Sequence, residues 1–500
     1  MAIQTRNSAL AIKPETSEGV PVSPSASTDY VALQDDASME PAFDVLENAE
    51  LKASLGRAKP ILGLENPTFS FSHYLRHSGV EGQAPNYKEF LEAAFGTETV
   101  NSTERDTEAG WTVSGGDVGA AEGTDFPRGT SVMVKNAADG YEIRPVHSVS
   151  TDTLTLGFDL ENAPASGVNL GKAVTYSPAD TDHQTLSIWH YLGSSGAIQM
   201  MAGSRVVDSS FSIAAGELIN ASYSLEGIKY YFNPIEIDAT NDDMDFDDGG
   251  GEENVSVAQK MYTDPHELAD ALQTAMDAAT SDNITVTYSD STGKFTIASD
   301  GGTLSLLWNT GTNTATTIGS ALSFTVSADD TGSTSYTGDN VIDLSTPQTP
   351  SFDSADPLAA KDNQVLLGDS DDTACFAASS CDITLGTPKR DILSVCSSSG
   401  KSGSIINARE VTVSVSALLE QYDVDKFKRF RENTETRFAY IGGTKSGGNW
   451  EAGKCFCWYL PTCTITSFNI TDDDGLVTLE LELQSFVDDS GNGEAYLSFV

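Results

Sequence analysis

Asp243, Asp245 and Asp247 stand at alternate positions, as acidic ligands do at positions 1, 3 and 5 of a calcium-binding hand. That loop also needs glycine at position 6 and glutamate at position 12, where this chain has Asp248 and Asn254. The run 242–253 therefore reads as a solvated acidic loop. Gly400-Lys401-Ser402 has the ending of a phosphate loop, but the pattern needs glycine five residues before Gly400, and Val395 stands there. A Ser/Gly-rich loop with one lysine is the plainer reading. Gly193-Ser194-Ser195-Gly196 misses the G-x-S-x-G of a nucleophile elbow and reads as a turn between 189–192 and 197–198. His73 and His77 share a face in a strand or a helix and could pair on a metal, although a structural or interfacial role suits them better. Cys455 and Cys457 point the same way on a strand, with Cys463 nearby. No histidine follows His266, so a local Cys/His zinc site cannot be built. An all-cysteine site would have to recruit Cys375, Cys381 or Cys396 through space, and buried thiols are the default. Five N-x-S/T patterns, at Asn101, Asn220, Asn254, Asn283 and Asn469, have no meaning without secretion. The expectation is a protein with no catalytic residues, no cofactor and no metal, and not an enzyme.

Charge narrows the partners. The chain has 28 Lys and Arg against 73 Asp and Glu, a net charge of −45. Tight duplex binding needs cations that displace counterions, so this surface will not wrap DNA. It suits a conduit that DNA passes without sticking, or simply a soluble secreted or halotolerant protein. Residues 1–15 show no apolar run of signal-peptide length and no stretch approaches a membrane helix, so assembly in the cytoplasm is expected. All six cysteines fall between Cys375 and Cys463, and free thiols are expected in a reducing compartment.

The elements that must carry these residues are mostly strands. Period-2 runs rich in Val and Thr recur at 130–135, 153–156 and 411–415. Tyr87, Phe90, Leu91, Ala94 and Phe95 predict a short helix stopped by Gly96. Another is predicted from about Val424 through Phe427 and Phe430, with Asp423 as N-cap. Asp264 as N-cap, Pro265 at N1 and Glu267 at N3 start a third, with Leu268, Ala271, Leu272 and Ala275 as its apolar stripe. A hairpin, 284–288 and 294–297, follows it. The expected division is a discontinuous main domain (1–125, 179–240 and 345–500), a small β-barrel-like insertion (126–178) and an inserted α+β module (241–344).

Several segments resemble tail tube proteins of long-tailed bacteriophages. They are Ala9-Leu10-Ala11-Ile12-Lys13-Pro14-Glu15, Phe43-Asp44-Val45-Leu46-Glu47, Ser54-Leu55-Gly56 and Gly63-Leu64-Glu65-Asn66-Pro67. The strand 69–79, the helix at 87–95, the stretch 212–230 and the closing 465–486, with Asp473-Asp474-Gly475-Leu476, continue the similarity. Within 241–344, Asp245-Phe246-Asp247-Asp248-Gly249, Tyr262-Thr263, Ser305-Leu306-Leu307-Trp308 and Ser327-Ala328-Asp329-Asp330-Thr331-Gly332 resemble a decorative module of tailed-phage structural proteins. Residues 347–399 match neither.

The resemblance implies a mainly β fold: a tail-tube β-sandwich or barrel with a flanking helix, joined side by side into stacked, typically hexameric rings. It implies a lumen that passes viral DNA without sequence-specific binding. The partners implied are copies of the chain and the tail tip, tape measure and tail terminator proteins, and the location is the virion tail. The lumen is expected to be acidic or neutral and lined by strands around 69–76 and their partners. The rival expectation is a secreted or cell-surface β-rich adhesin or layer protein.

Overall fold

The computed structural model describes residues 5–25, 28–50, 56–136, 140–181, 183–193, 196–345, 355–419, 424–473, 475–488 and 493–500. The chain is mainly β and divides into two compact units. Residues 1–11, 187–202 and 229–350 make the smaller; 12–186, 203–228 and 351–500 make the larger. No helix among the described residues is long and apolar enough to cross a membrane.

The larger unit holds two antiparallel layers. One has eight strands in the order Ser38–Glu40, Thr68–Tyr74, Asn220–Glu226, 203–214, Ala378–Gly386, Glu410–Leu418, Leu476–Ser485 and the second half of Asn449–Asp473. The other runs Gly96–Asn101, Ala173–Pro178, Tyr496–Phe499, the first half of Asn449–Asp473, Thr436–Ser446 and Gln364–Gly368. The 25-residue strand Asn449–Asp473 thus serves both layers, changing neighbours at Cys463 and shifting register just beyond, between Ile465 and Ser467.

Alternation drives the eight-stranded layer. Along Glu410–Leu418 the residues Val411, Val413, Val415 and Ala417 are buried, while Thr412, Ser414 and Ser416 point away from the core. Aromatic rings join the layers: Phe211 lies 5.0 Å from Trp458. The helix Lys88–Phe95 adds Phe90, 4.8 Å from Phe71, and Phe95, 5.5 Å from Trp458. Gly96 ends that helix in the left-handed region (φ 103°), as its position predicts.

The insertion near 126–178 differs from expectation. Its strands Gly115–Asp117, Thr153–Leu156, Gly140–Ser150 and Ser131–Asn136 form an open four-stranded sheet, not a barrel. Its core reaches back to Trp111 and Val118, so it begins well before 126. Ala173–Pro178 does not belong to it; that strand pairs with Gly96–Asn101 and Tyr496–Phe499 in the six-stranded layer. Alternating small strands gave the right element type, but which neighbour each one pairs with is a long-range property.

In the smaller unit the helix Pro265–Ala279 starts as read: Asp264 accepts from the Glu267 N–H at 2.9 Å. Its buried stripe is Leu268, Ala269, Leu272 and Met276, with Ala271 only partly buried. The hairpin Ile284–Ser289 with Lys294–Ser299 forms as expected. The module's boundary moves, however. Ile235–Ile237 pairs with Lys260–Tyr262, and Ile235 and Ile237 belong to the same core as Phe246, Leu272 and Trp308. This body therefore starts before Asn241. The helix read at 424 spans Val424–Glu432. Its proposed cap Asp423 lies outside the described residues, as do Ser54, Leu55, Ser194, Ser195 and Asp474.

Candidate functional surface

The residues singled out for chemistry are mostly engaged by the protein itself. Asp243, Asp245 and Asp247 lie on the strand Asp243–Asp247 of a hairpin, not in a loop. Asp245 is buried and accepts from the Asn313 N–H at 2.5 Å, the Asn313 amide at 2.9 Å and the Asn254 amide at 2.8 Å. Asp243 accepts from Ser256 and Thr316, each at 2.6 Å. The solvated-loop reading is corrected for Asp243 and Asp245, which stitch the module together, while Asp247 accepts the Gly249 and Gly251 N–H groups of the turn that follows. The module's other signature does the same. Asp330 accepts from the Trp308 indole N–H at 3.0 Å, and Asp329 accepts the Asn309 and Thr310 N–H groups.

Lys401 points inward. Its Nζ lies 2.7 Å from Asp391 and 2.6 Å from the Asn66 Oδ1, so it ties two hairpins instead of cradling a phosphate. His73 is buried in the aromatic core, 4.4 Å from the Tyr87 ring and 5.6 Å from Tyr223, with Nδ1 3.0 Å from the Tyr74 carbonyl. Burial, with a smaller push from Arg76, holds its pKa down to about 4, a neutral core imidazole. His77 is buried too.

All six cysteines are free. Burial pushes the Cys455 and Cys457 thiols up to about 12, and Cys381 and Cys463 also rise. Raised thiols are poor nucleophiles. Cys375 and Cys396 are exposed.

One acidic group went unnoticed in the sequence. Asp369, Asp371 and Asp372 bring carboxylate oxygens within 4.8 Å of one another, the one such cluster among the described residues. Arg429 already occupies it, 2.7 Å from Asp369, 3.4 Å from Asp372 and 2.7 Å from Asp425. That hydrogen bond holds the Asp369 carboxyl below the usual range. The Asp-Ser-Asp-Asp run was the available signal; its arginine comes from 57 residues further on, which spacing does not reveal.

The extended feature is the outward face of the eight-stranded layer. Register sets its side chains in rows across the strands. One row is Ser72, Ser222, Ser210, Thr384, Thr412, Gln484 and Thr464. The next is Tyr74, Asn220, Ser212, Asp382, Ser414, Glu482 and Ser467. A third joins Ser380, Ser416, Glu480 and Asn469. These rows, with Asp208 and Glu410 beside them, carry acids and neutral polar groups and no Lys or Arg. Short hydroxyls dominate the rows, with Asp382, Glu480 and Glu482 set among them, which gives a polar surface of negative sign.

No family model and no curated protein matches this chain. Among solved structures, a chain of the virion of a native gene transfer agent particle is similar over 27% of this chain and 95% of its own, at 16% identity and a TM-score of 0.19. A chain of the SPP1 tail tube is similar over 25% of this chain and 72% of its own, at 15% identity and a TM-score of 0.19. Both neighbours are thus components of a virion or a tail tube. At that TM-score neither likeness supports an assignment of residues.

Proposed function

We propose that this chain is a structural subunit of a phage tail tube, assembling into stacked rings whose lumen passes viral DNA. The observation that carries the reading is the set of adjacent rows on the outer face of the eight-stranded layer that hold only acids and neutral polar groups; Arg205, at one end of that face opposite Glu226, is paired with Glu18. A duplex presents one phosphate charge per ~1.7 Å of axis. A wall bearing Asp382, Glu480 and Glu482 among serines and threonines repels phosphate, and its one arginine, Arg205, is already paired with Glu18. DNA then stays near the axis and slides. The strand Thr68–Tyr74 lies in this layer, so its expected place beside the lumen suits the same face. The segments at 9–15, 43–47, 63–67 and 465–486 that resemble tail tube proteins support the class. The inserted module, whose core runs from Ile235 to Ile342, is read as a decorative module on the outer wall, since a module in the bore would block DNA. An adhesin or layer protein exported from the cell would carry the exposed thiols Cys375 and Cys396 into an oxidising medium, which favours the tube. Negative-stain imaging of concentrated protein at raised salt tests the proposal: rings or tubes with a central hole are expected, and flat arrays or monomers alone would contradict it.

A further inference from the structure

The connection between Gln364–Gly368 and Ala378–Gly386 crosses from one layer of the larger unit to the other and carries Cys375. Gln364–Gly368 is the edge strand of the six-stranded layer, whereas Ala378–Gly386 lies inside the eight-stranded one. Where they part, a cavity of about 190 Å³ opens. Register supplies its walls: Ile213 opposite Cys381 from one layer, Val365 opposite Tyr440 from the other. The Phe376 N–H, donating to the Val365 carbonyl at 2.8 Å, fixes the connection over it. Ala215, Ala360, Ala377 and Ala378 leave the space unfilled, because their side chains are too short to reach across. It is roughly six times the ~30 Å³ share of one water.

Two polar groups in this wall have bonds still to make. The Asn363 amide nitrogen donates to the Tyr440 hydroxyl at 2.6 Å and to the Ala359 carbonyl at 3.4 Å. The Asn363 Oδ1 is buried and takes no hydrogen bond from the described residues. Tyr440, only 3% exposed, accepts the Asn363 bond, and its own proton has no acceptor among the described residues. A vacant acceptor therefore sits beside a vacant donor, and a buried pair of that kind gains from any ligand that fills both. The amino and carboxylate groups of an α-amino acid do so: the ammonium donates to Asn363 Oδ1 and the carboxylate accepts from the Tyr440 hydroxyl. Asp362, also in the wall, is paired with Lys445 at 3.1 Å.

A nucleophile stands at the same place. Cys375 lines the cavity, is exposed and free, and its Sγ lies 4.0 Å from the Asn363 carbonyl oxygen. The thiol is thus set beside the residue that offers Oδ1. Cys381 lines the cavity as well but is buried. Cys396, the other exposed thiol, lies in the loop between Lys389–Leu393 and Lys401–Ile406 and is not part of this wall.

We infer that Cys375 is a modification site for small amino-acid disulfides, of which cystine is the simplest. One half of the disulfide seats its amino and carboxylate groups on Asn363 and Tyr440, which brings its sulfur to Cys375. The Cys375 thiolate attacks that sulfur. A new S–S bond to Cys375 forms, the original S–S bond breaks, and the other half departs as a thiolate that takes up the proton Cys375 gave up. The disulfide is the oxidant and nothing else is consumed. The product is a chain carrying one cysteine on Cys375, removable by any reducing thiol.

The test treats the unassembled full chain at low salt with L-cystine, and separately with hydroxyethyl disulfide, which has neither an amino nor a carboxylate group. Peptide mass spectrometry follows the adduct on each cysteine with time. The ratio of the Cys375 rate to the Cys396 rate cancels the reactivity of the reagent. It should be higher with cystine than with hydroxyethyl disulfide by about tenfold, the worth of one hydrogen bond made on binding. The variant Tyr440→Phe should lose that advantage, with Cys381, Cys455, Cys457 and Cys463 still unmodified as the sign of an intact fold. Equal ratios for the two disulfides on the wild-type chain overturn the inference whatever the variant does. So does an advantage that survives Tyr440→Phe.

Discussion

At the scale of single residues, buried histidines set a pH limit on the fold. His73 binds its proton near 6.5 when unfolded and near 4 when folded. Between those values the unfolded state holds more protons, so stability is full above pH 6.5 and falls as pH drops toward 4. The shift is worth on the order of 3 kcal/mol. His147, 2.9 Å from the Tyr459 hydroxyl, is also held down to about 4 by burial and adds a loss of the same sign. The variant His73→Phe, which keeps a ring between Tyr87 and Tyr223, should show a smaller decline in urea midpoint between pH 7 and pH 5 than wild type, the remainder coming from His147 and His190. An unchanged decline would mean that His73 is not the titrating group. The sequence placed His73 on a strand of the presumed inner sheet and favoured a structural or interfacial role over a metal pair, without separating core from interface. Only the stacked rings around it decide that, and they come from residues up to 150 positions away.

Elements were legible where local chemistry specifies them. Asp264, Pro265 and Glu267 set the start of one helix and Gly96 the end of another, because caps are fixed by neighbouring residues. Period-2 runs found most strands. Pairing was not legible. Ala173–Pro178 was read into the small insertion, and Ile235–Ile237 was left outside the module, because strand partners are chosen by burial across the whole unit. This gives a prediction about boundaries. Replacing 241–344 by a Gly/Ser linker would strand Ile235 and Ile237 without Lys260–Tyr262, and that protein should aggregate. Replacing 234–345 removes the whole core and should leave soluble protein that still makes tubes. If the longer deletion abolishes tubes, the module takes part in ring contact.

For the whole molecule, composition indicated an acidic surface, suited to a conduit but explained as well by solubility alone, and could not say where the charge lies. The structure sorts it: part of the acidity is spent inside the module on Asn, Ser and Thr partners, and part forms the open rows of Asp382, Glu480 and Glu482. Surface repulsion at a net charge of −45 should keep purified protein monomeric at low salt, with growth appearing as salt shortens the screening length toward ~10 Å or below. Light scattering across a salt series measures this, and rapid growth at low salt would contradict it. Reversing charge on the open face, Glu480→Lys with Glu482→Lys, should leave tubes intact, yet DNA ejection should slow at least several-fold and become salt-dependent. Unchanged ejection at low salt would make the charge a matter of solubility alone.

The central claim is that the acidic and hydroxyl-rich face of the eight-stranded layer lines the bore. An electron cryo-microscopy reconstruction of assembled tubes tests it most directly. The account predicts Thr412, Ser414, Glu480 and Glu482 on the inner wall of a continuous β-barrel. Finding those residues on the outer surface, or buried between subunits, would contradict it.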